Sequence, residues 1–105
     1  MKMREILLNG DKMSDKTAAH SYLKRKLSLP EYYGNNLDAL WDCLSTDFLP
    51  KLIIIKNPEI LIENLCSYGK LIIKLFQEVA KENKYIDLDI QWQSDNSEDS
   101  STDRY

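Results

Sequence analysis

The sequence predicts an α/β fold, a three-stranded parallel sheet packed with about four helices. Three short apolar segments sit near the start, the middle and the end of the 105 residues. Each gap between them holds two stretches of helical spacing. The middle segment, Leu52-Ile53-Ile54-Ile55, is a β-rich run too short for a helix. The resulting order β-α-α-β-α-α-β needs crossover connections, and right-handed crossovers generate a small parallel sheet with helices on it.

Arg4–Leu8 reads as the first strand, stopped by the turn signal Asn9-Gly10-Asp11. Ser14 is the predicted N-cap of the next helix, with Asp15 in the first turn where the helix dipole favours an anion. Ala19, Tyr22, Leu23, Lys26 and Leu27 follow helical spacing, Lys24-Arg25-Lys26 marks the C-terminal end, and Pro30 blocks continuation. A second helix starts at Asn36 and runs to about Ser45, with Leu37, Leu40, Trp41 and Leu44 on one side. The run Leu52–Ile55 fits a strand buried on both faces. Asn57-Pro58 opens a short helix through Leu61, Ile62 and Leu65, with proline at a tolerated first-turn position. From about Tyr68, Ile72, Leu75, Phe76, Val79 and Ala80 define an amphipathic helix. Ile86, Leu88, Ile90 and Trp92 then alternate with Asp87, Asp89 and Gln91, the pattern of a half-buried strand. Residues 1–93 thus form one domain. Residues 94–105 have no apolar spacing and are predicted to be a disordered acidic tail.

The formal charge of −3 and a pI near 5.1 exclude a nucleic-acid binder held by phosphate contacts, which needs a basic face. Three glycines, at 10, 34 and 69, cannot build a phosphate-cradling loop. One histidine and two cysteines cannot build a Cys/His zinc cluster, so no metal or cofactor is expected. Neither a signal peptide nor a membrane span is visible. The expectation is a cytoplasmic protein, with Cys43 and Cys66 as reduced thiols. The charge is unevenly spread. Four acids and one base in the tail account for the whole −3, leaving 13 acids and 13 bases in residues 1–93. Within that neutral domain no Lys or Arg occurs between Lys26 and Lys51, whereas Glu31, Asp38, Asp42 and Asp47 all do.

The acidic stretch centres on the second helix. Asp38 and Asp42, four residues apart, share a face about 6 Å apart along the axis, and as like charges they cost an isolated helix a few tenths of a kcal/mol. Asp38 recovers part of this from the helix dipole in the first turn; Asp42, one turn on, does not. Trp41 lies beside Asp42, and Tyr32 and Tyr33 sit in the loop feeding the helix. On residue types alone the pair is an ordinary solvated face, an aromatic-rimmed protein-binding surface, or a general acid–base pair. The last finds no nucleophile, oxyanion donors or metal site nearby. His20, mid-helix with no identifiable triad partner, reads as an ordinary surface or half-buried histidine.

The stretch Leu-Pro-Glu-Tyr-Tyr-Gly at 29–34, Asn35, and then Asn-Leu-Asp-Ala-Leu-Trp-Asp-Cys-Leu at 36–44 closely resembles the signature of the barstar family, intracellular inhibitors of the secreted ribonuclease barnase. The opening strand, the Asn9-Gly10 turn and Phe76-Gln-Glu-Val-Ala-Lys-Glu82 agree in order and spacing, so the likeness spans about residues 3–92. The resemblance implies a three-stranded parallel sheet with helices, and a non-catalytic inhibitor whose second helix and preceding loop plug a ribonuclease active site. Asp42 matches the carboxylate that enters the phosphate-binding centre, and Asp38 a second acid on the same face. Tyr32 matches the aromatic packed on the catalytic histidine. Gly34 and Asn36 match supporting contacts, Glu78 an acid reaching the rim, and Trp41 a tryptophan that packs beside them. The implied partner is a secreted or toxin ribonuclease of the barnase type, bound by a protein that is a monomer when free and touches neither nucleic acid nor membrane. The alternative is a barstar-fold module for a different basic protein.

Several positions depart from the family pattern. Asn35 replaces an acid, and the expected post-helix Trp falls near Asp47-Phe48 with one residue missing before Pro50. Tyr85 stands where a cysteine is expected, and Cys66 has no counterpart. The resemblance also suggests a cis peptide before Pro50.

Overall fold

A computed structural model describes residues 3–92. The predicted tail lies outside the described residues. In chain order the elements are β1 (Arg4–Asn9), a 3-10 turn (Gly10–Lys12), α1 (Lys16–Leu27), α2 (Leu37–Ser45), β2 (Lys51–Lys56), α3 (Pro58–Leu65), α4 (Ser67–Glu82) and β3 (Ile86–Gln91). The three strands are parallel and ordered β1-β2-β3, with Ile6, Ile53 and Leu88 in one register row and Leu8, Ile55 and Ile90 in the next. This is the α/β architecture that the sequence predicts.

Both crossovers advance in the same direction across the sheet, so right-handed connections place all four helices on one face. That face carries the core: Ile6, Leu8, Ile53 and Ile55 meet Leu23, Leu27, Leu61, Ile72, Phe76 and Val79 from the helices. Among the described residues, no helix covers the other face. Its rows are Glu5-Leu52-Asp87 and Leu7-Ile54-Asp89, and Leu7 remains 44% exposed. The expectation that Leu52–Ile55 is buried on both faces is therefore corrected. Ile53 and Ile55 are buried, but Leu52 and Ile54 are only half-buried, because no helix covers their side. Trp92 is likewise not part of the buried stripe: it follows the end of β3 and is 48% exposed.

The N-cap of α1 is Asp15 rather than Ser14. Its Oδ1 accepts from Ala18 N–H at 2.8 Å, and aspartate is as good a cap as serine. The peptide before Pro50 is trans, not cis as the family likeness suggested. Two glycines allow close packing. A Cβ on Gly10 would lie 2.2 Å from the Asn57 carbonyl oxygen, and one on Gly69 would lie 2.7 Å from that of Leu61, where α4 crosses α3.

Candidate functional site

The helix α2 is set by its cap. Asn36 Oδ1 accepts from Ala39 N–H at 2.7 Å, while Asn36 Nδ2 donates to the Gly34 carbonyl at 3.2 Å. Asn36 therefore has both side-chain functions engaged in shaping the loop. Gly34 belongs to the same turn, since a Cβ there would press to 3.3 Å from Asn36 Nδ2. Leu40 and Leu44 are buried and hold α2 against α4. This fixes the opposite side outward, so Asp38 and Asp42 are exposed, as spacing requires. Neither carboxylate has an ion pair or hydrogen bond among the described residues.

Between α2 and α4 runs a groove of about 340 Å³, lined by Leu37, Asp38, Trp41, Leu71, Lys74, Leu75 and Glu78. The structure thus brings together three of the expected residues, Asp38, Trp41 and Glu78, although they come from helices 30 or more positions apart. Trp41 is half-buried, and Glu78 sits at the groove's edge from the α4 side. Asp42 and Tyr32 do not line the groove: Asp42 stands on the outer flank of α2, and Tyr32, 86% exposed, projects from the preceding loop. Leu71 and Lys74 were not foreseen. Their only signal is position, since Lys74 and Leu71 precede Glu78 by one and two helical turns.

Electrostatics leave the site without an activated nucleophile. Cys43 is half-buried beside the acids; burial, and then the charges of Asp42 and Asp47, push its thiol pKa up, which keeps it protonated. Cys66 is an unpaired, exposed cysteine between α3 and α4. No group of three or more His, Cys, Asp or Glu that could hold a metal occurs among the described residues.

The exit from α2 is built by residues that sequence reasoning passed over. Lys51, 2% exposed, begins β2; its ammonium donates to Asp47 Oδ2 at 2.5 Å and to the Leu49 carbonyl at 2.7 Å. Asn83 Nδ2 donates to the carbonyls of Leu44 and Asp47, each at 2.8 Å. Asp47 is thus engaged inside the chain, and the exposed apolar groups at this corner are Phe48, edge-on to Tyr85 at 5.9 Å, and Leu49. The signal for Lys51 lay in the strand alternation, which puts it on the same face as Ile53 and Ile55.

His20 also differs from expectation. It is only 2% exposed, with Nδ1 2.6 Å from the Tyr33 hydroxyl and Nε2 2.6 Å from that of Tyr68. Its place in the helix, three before Leu23 and seven before Leu27, matches the buried stripe. Burial lowers the His20 pKa and raises those of both tyrosines, Tyr33 the more strongly.

An unpaired acidic helix face, bordered by a largely apolar groove and an exposed tyrosine, has the make-up of a protein-binding surface. The family model described as Barstar (barnase inhibitor) matches residues 3–93. A protein of Bacillus subtilis (strain 168) named "Putative ribonuclease inhibitor YrdF" is 42% identical over 84 residues, covering 78% of this chain and 91% of that one. The chain belongs to the barstar family; it is an inhibitor, not an enzyme.

Proposed function

We propose that this protein inhibits a secreted or toxin ribonuclease of the barnase type, acting in the cytoplasm as a monomer that protects the producing cell. The observation that carries the reading is the unpaired state of Asp38 and Asp42 on a helix whose other side is locked into the core. A ribonuclease concentrates positive charge where the scissile phosphate binds, and a carboxylate held on a rigid helix fits that place. Asp42 enters the phosphate-binding centre and Asp38 flanks it. Tyr32 packs on the catalytic histidine from the loop shaped by Gly34 and Asn36. Glu78 and Trp41 extend the contact along the groove. Complementary fields speed the encounter, so association weakens as salt rises. The repulsion between Asp38 and Asp42 in the free helix is then relieved by the partner's cations. No helix among the described residues is long and apolar enough to cross a membrane.

The test is titration of the native chain and Asp42→Ala into an assay of a guanyl-preferring ribonuclease. Stoichiometric inhibition is expected from the native chain. The substitution strands the enzyme's cations unpaired, a loss of roughly 3–5 kcal/mol or two to four orders of magnitude in Kd. Full ribonuclease activity at several-fold molar excess of native protein would overturn the reading. Capture of a basic partner without nuclease activity would favour the other reading, a module serving a different protein.

A further inference from the structure

In the loop joining α1 to α2 one side chain is fully buried, while Leu29 packs half-buried against the core and Glu31 lies 3.8 Å from the Lys24 ammonium of α1. Glu31, Tyr32, Gly34, Asn35 and Asn36 are all exposed, whereas Tyr33 is 5% exposed and turned inward. Its hydroxyl meets His20 of α1, and the other ring nitrogen of His20 meets Tyr68 in the first turn of α4. The aromatic rings are packed as well, at centroid separations of 5.7 Å and 5.8 Å. Three segments distant in sequence thus converge on one imidazole.

A neutral imidazole offers one N–H donor and one acceptor, so the chain of three groups has a direction: one tyrosine oxygen accepts from His20, and the other tyrosine O–H donates to it. Each ring nitrogen is satisfied only while both hydroxyls hold their places. The loop backbone is restrained by Leu29 N–H donating to the Lys24 carbonyl and Tyr33 N–H to the Pro30 carbonyl, each at 2.9 Å. The Asn36 cap and its bond to the Gly34 carbonyl add to this, as does a long contact of 3.5 Å from Lys24 Nζ to the Glu31 carbonyl; none of these reaches α4. Asn35 also holds a left-handed conformation, with φ of 56°, which asparagine tolerates better than most residues. With Tyr33 fixed inward, its neighbour Tyr32 is directed outward.

We propose that His20, Tyr33 and Tyr68 form a positioning element that sets the loop bearing Tyr32, Gly34 and Asn36 in its binding conformation before a partner arrives. The inference rests on the inhibitor reading above for its functional consequence. Ordering the loop in advance removes part of the entropy cost that association otherwise carries. None of the three residues needs to touch the ribonuclease; they act through Tyr32 and the α2 cap.

The two hydrogen bonds are not equivalent. The one to Tyr33 is buried. The one to Tyr68 borders a cavity of about 140 Å³, lined by Lys16, Thr17, Ser21 and Asn35 as well as the pair itself. Water entering that cavity can replace a lost Tyr68 hydroxyl, whereas the loss of the Tyr33 hydroxyl leaves His20 Nδ1 dry and unpaired.

The experiment compares the native chain with Tyr33→Phe and Tyr68→Phe in three readings: amide hydrogen exchange across residues 31–37 of the free protein, global unfolding in urea, and ribonuclease inhibition. Tyr33→Phe is expected to speed exchange in the loop about tenfold beyond any change at core amides, and to weaken inhibition about tenfold. Tyr68→Phe is expected to do less in both. In a Tyr32→Ala background the inhibition penalty of Tyr33→Phe shrinks, while in an Asp42→Ala background it persists, because Tyr32 is carried by the loop whereas Asp42 is held by the packing of Leu40 and Leu44. A purely structural role would raise exchange everywhere in proportion to lost stability and give the same penalty in both backgrounds, and either result overturns the proposal. Should the native chain inhibit no ribonuclease, the functional reading fails on its own. Loop exchange in Tyr33→Phe matching the native rate overturns the positioning element independently.

Discussion

Asp47→Ala probes how the exit from α2 is held. Lys51 is 2% exposed, and its ammonium has two partners, the Asp47 carboxylate at 2.5 Å and the Leu49 carbonyl at 2.7 Å. The same carboxylate accepts from Leu49 N–H at 3.0 Å. In Asp47→Ala the ammonium keeps one neutral acceptor, and Leu49 N–H loses its partner to solvent. Removing one member of a buried pair costs about 3–5 kcal/mol. The Asp47 side chain retains 25% exposure, which places this case at the lower end, near ~3 kcal/mol. In a domain of this size that corresponds to a fall in Tm of roughly 12–24 °C. Lys51→Met removes the charge while leaving an apolar stem of similar length in place, so its cost should stay below about 1.5 kcal/mol. The double substitution should recover most of the loss seen with Asp47→Ala. Thermal melts and urea unfolding of the four proteins measure this cycle directly. A loss below ~1 kcal/mol for Asp47→Ala, or a greater loss for Lys51→Met, would refute the idea that this carboxylate is what makes a buried ammonium tolerable.

Gly10→Ala forces a Cβ to 2.2 Å from a backbone oxygen, which no side-chain rotation relieves; a loss of at least ~3 kcal/mol is expected in urea unfolding, and a melt close to native would contradict the packing described. The pH dependence of stability follows from His20, faced by the hydroxyls of Tyr33 and Tyr68 and by Lys16, whose ammonium lies 4.5 Å from the centre of the Tyr68 ring. Burial holds the folded pKa of His20 below the ordinary 6.5, so the unfolded chain binds the proton more readily. Stability from this residue is complete above pH 6.5 and is lost as pH falls through the folded pKa; His20→Gln should flatten that part of the profile, and a native urea midpoint unchanged between pH 7.5 and 5 would contradict it.

The fold was legible because its signals are periodic. Alternation at 86–91 and helical spacing at 72–80 identify their elements without reference to the rest of the chain. The one-sided sheet was not legible from the same signals. Leu52-Ile53-Ile54-Ile55 is equally apolar on both faces, and only the strand order, a long-range property, reveals that two of the four lack cover. At the candidate site, the outward direction of Asp38 and Asp42 follows from Leu40 and Leu44 on the opposite side. Their convergence with Glu78 needed the packing of α2 on α4. His20 and Lys51 were missed for one physical reason. Polar residues are ordinarily solvated, and burying them requires partners (Tyr33, Tyr68 and Asp47) that lie on other segments or in turns whose shape is set by the fold.

The open face of the sheet bears on behaviour in concentrated solution. Among the described residues, two unpaired parallel edges and the apolar strip Leu7-Leu52-Ile54 form a surface on which other chains could stack. Glu5, Asp87 and Asp89 border that strip, with Lys56 one row further along. Like charges at these positions on two molecules repel, which disfavours stacking on a face that no helix among the described residues covers. This face lies across the sheet from α2, so Glu5, Asp87 and Asp89 are separate from the acids proposed for recognition, Asp38 and Asp42, and each set can be altered while the other is kept.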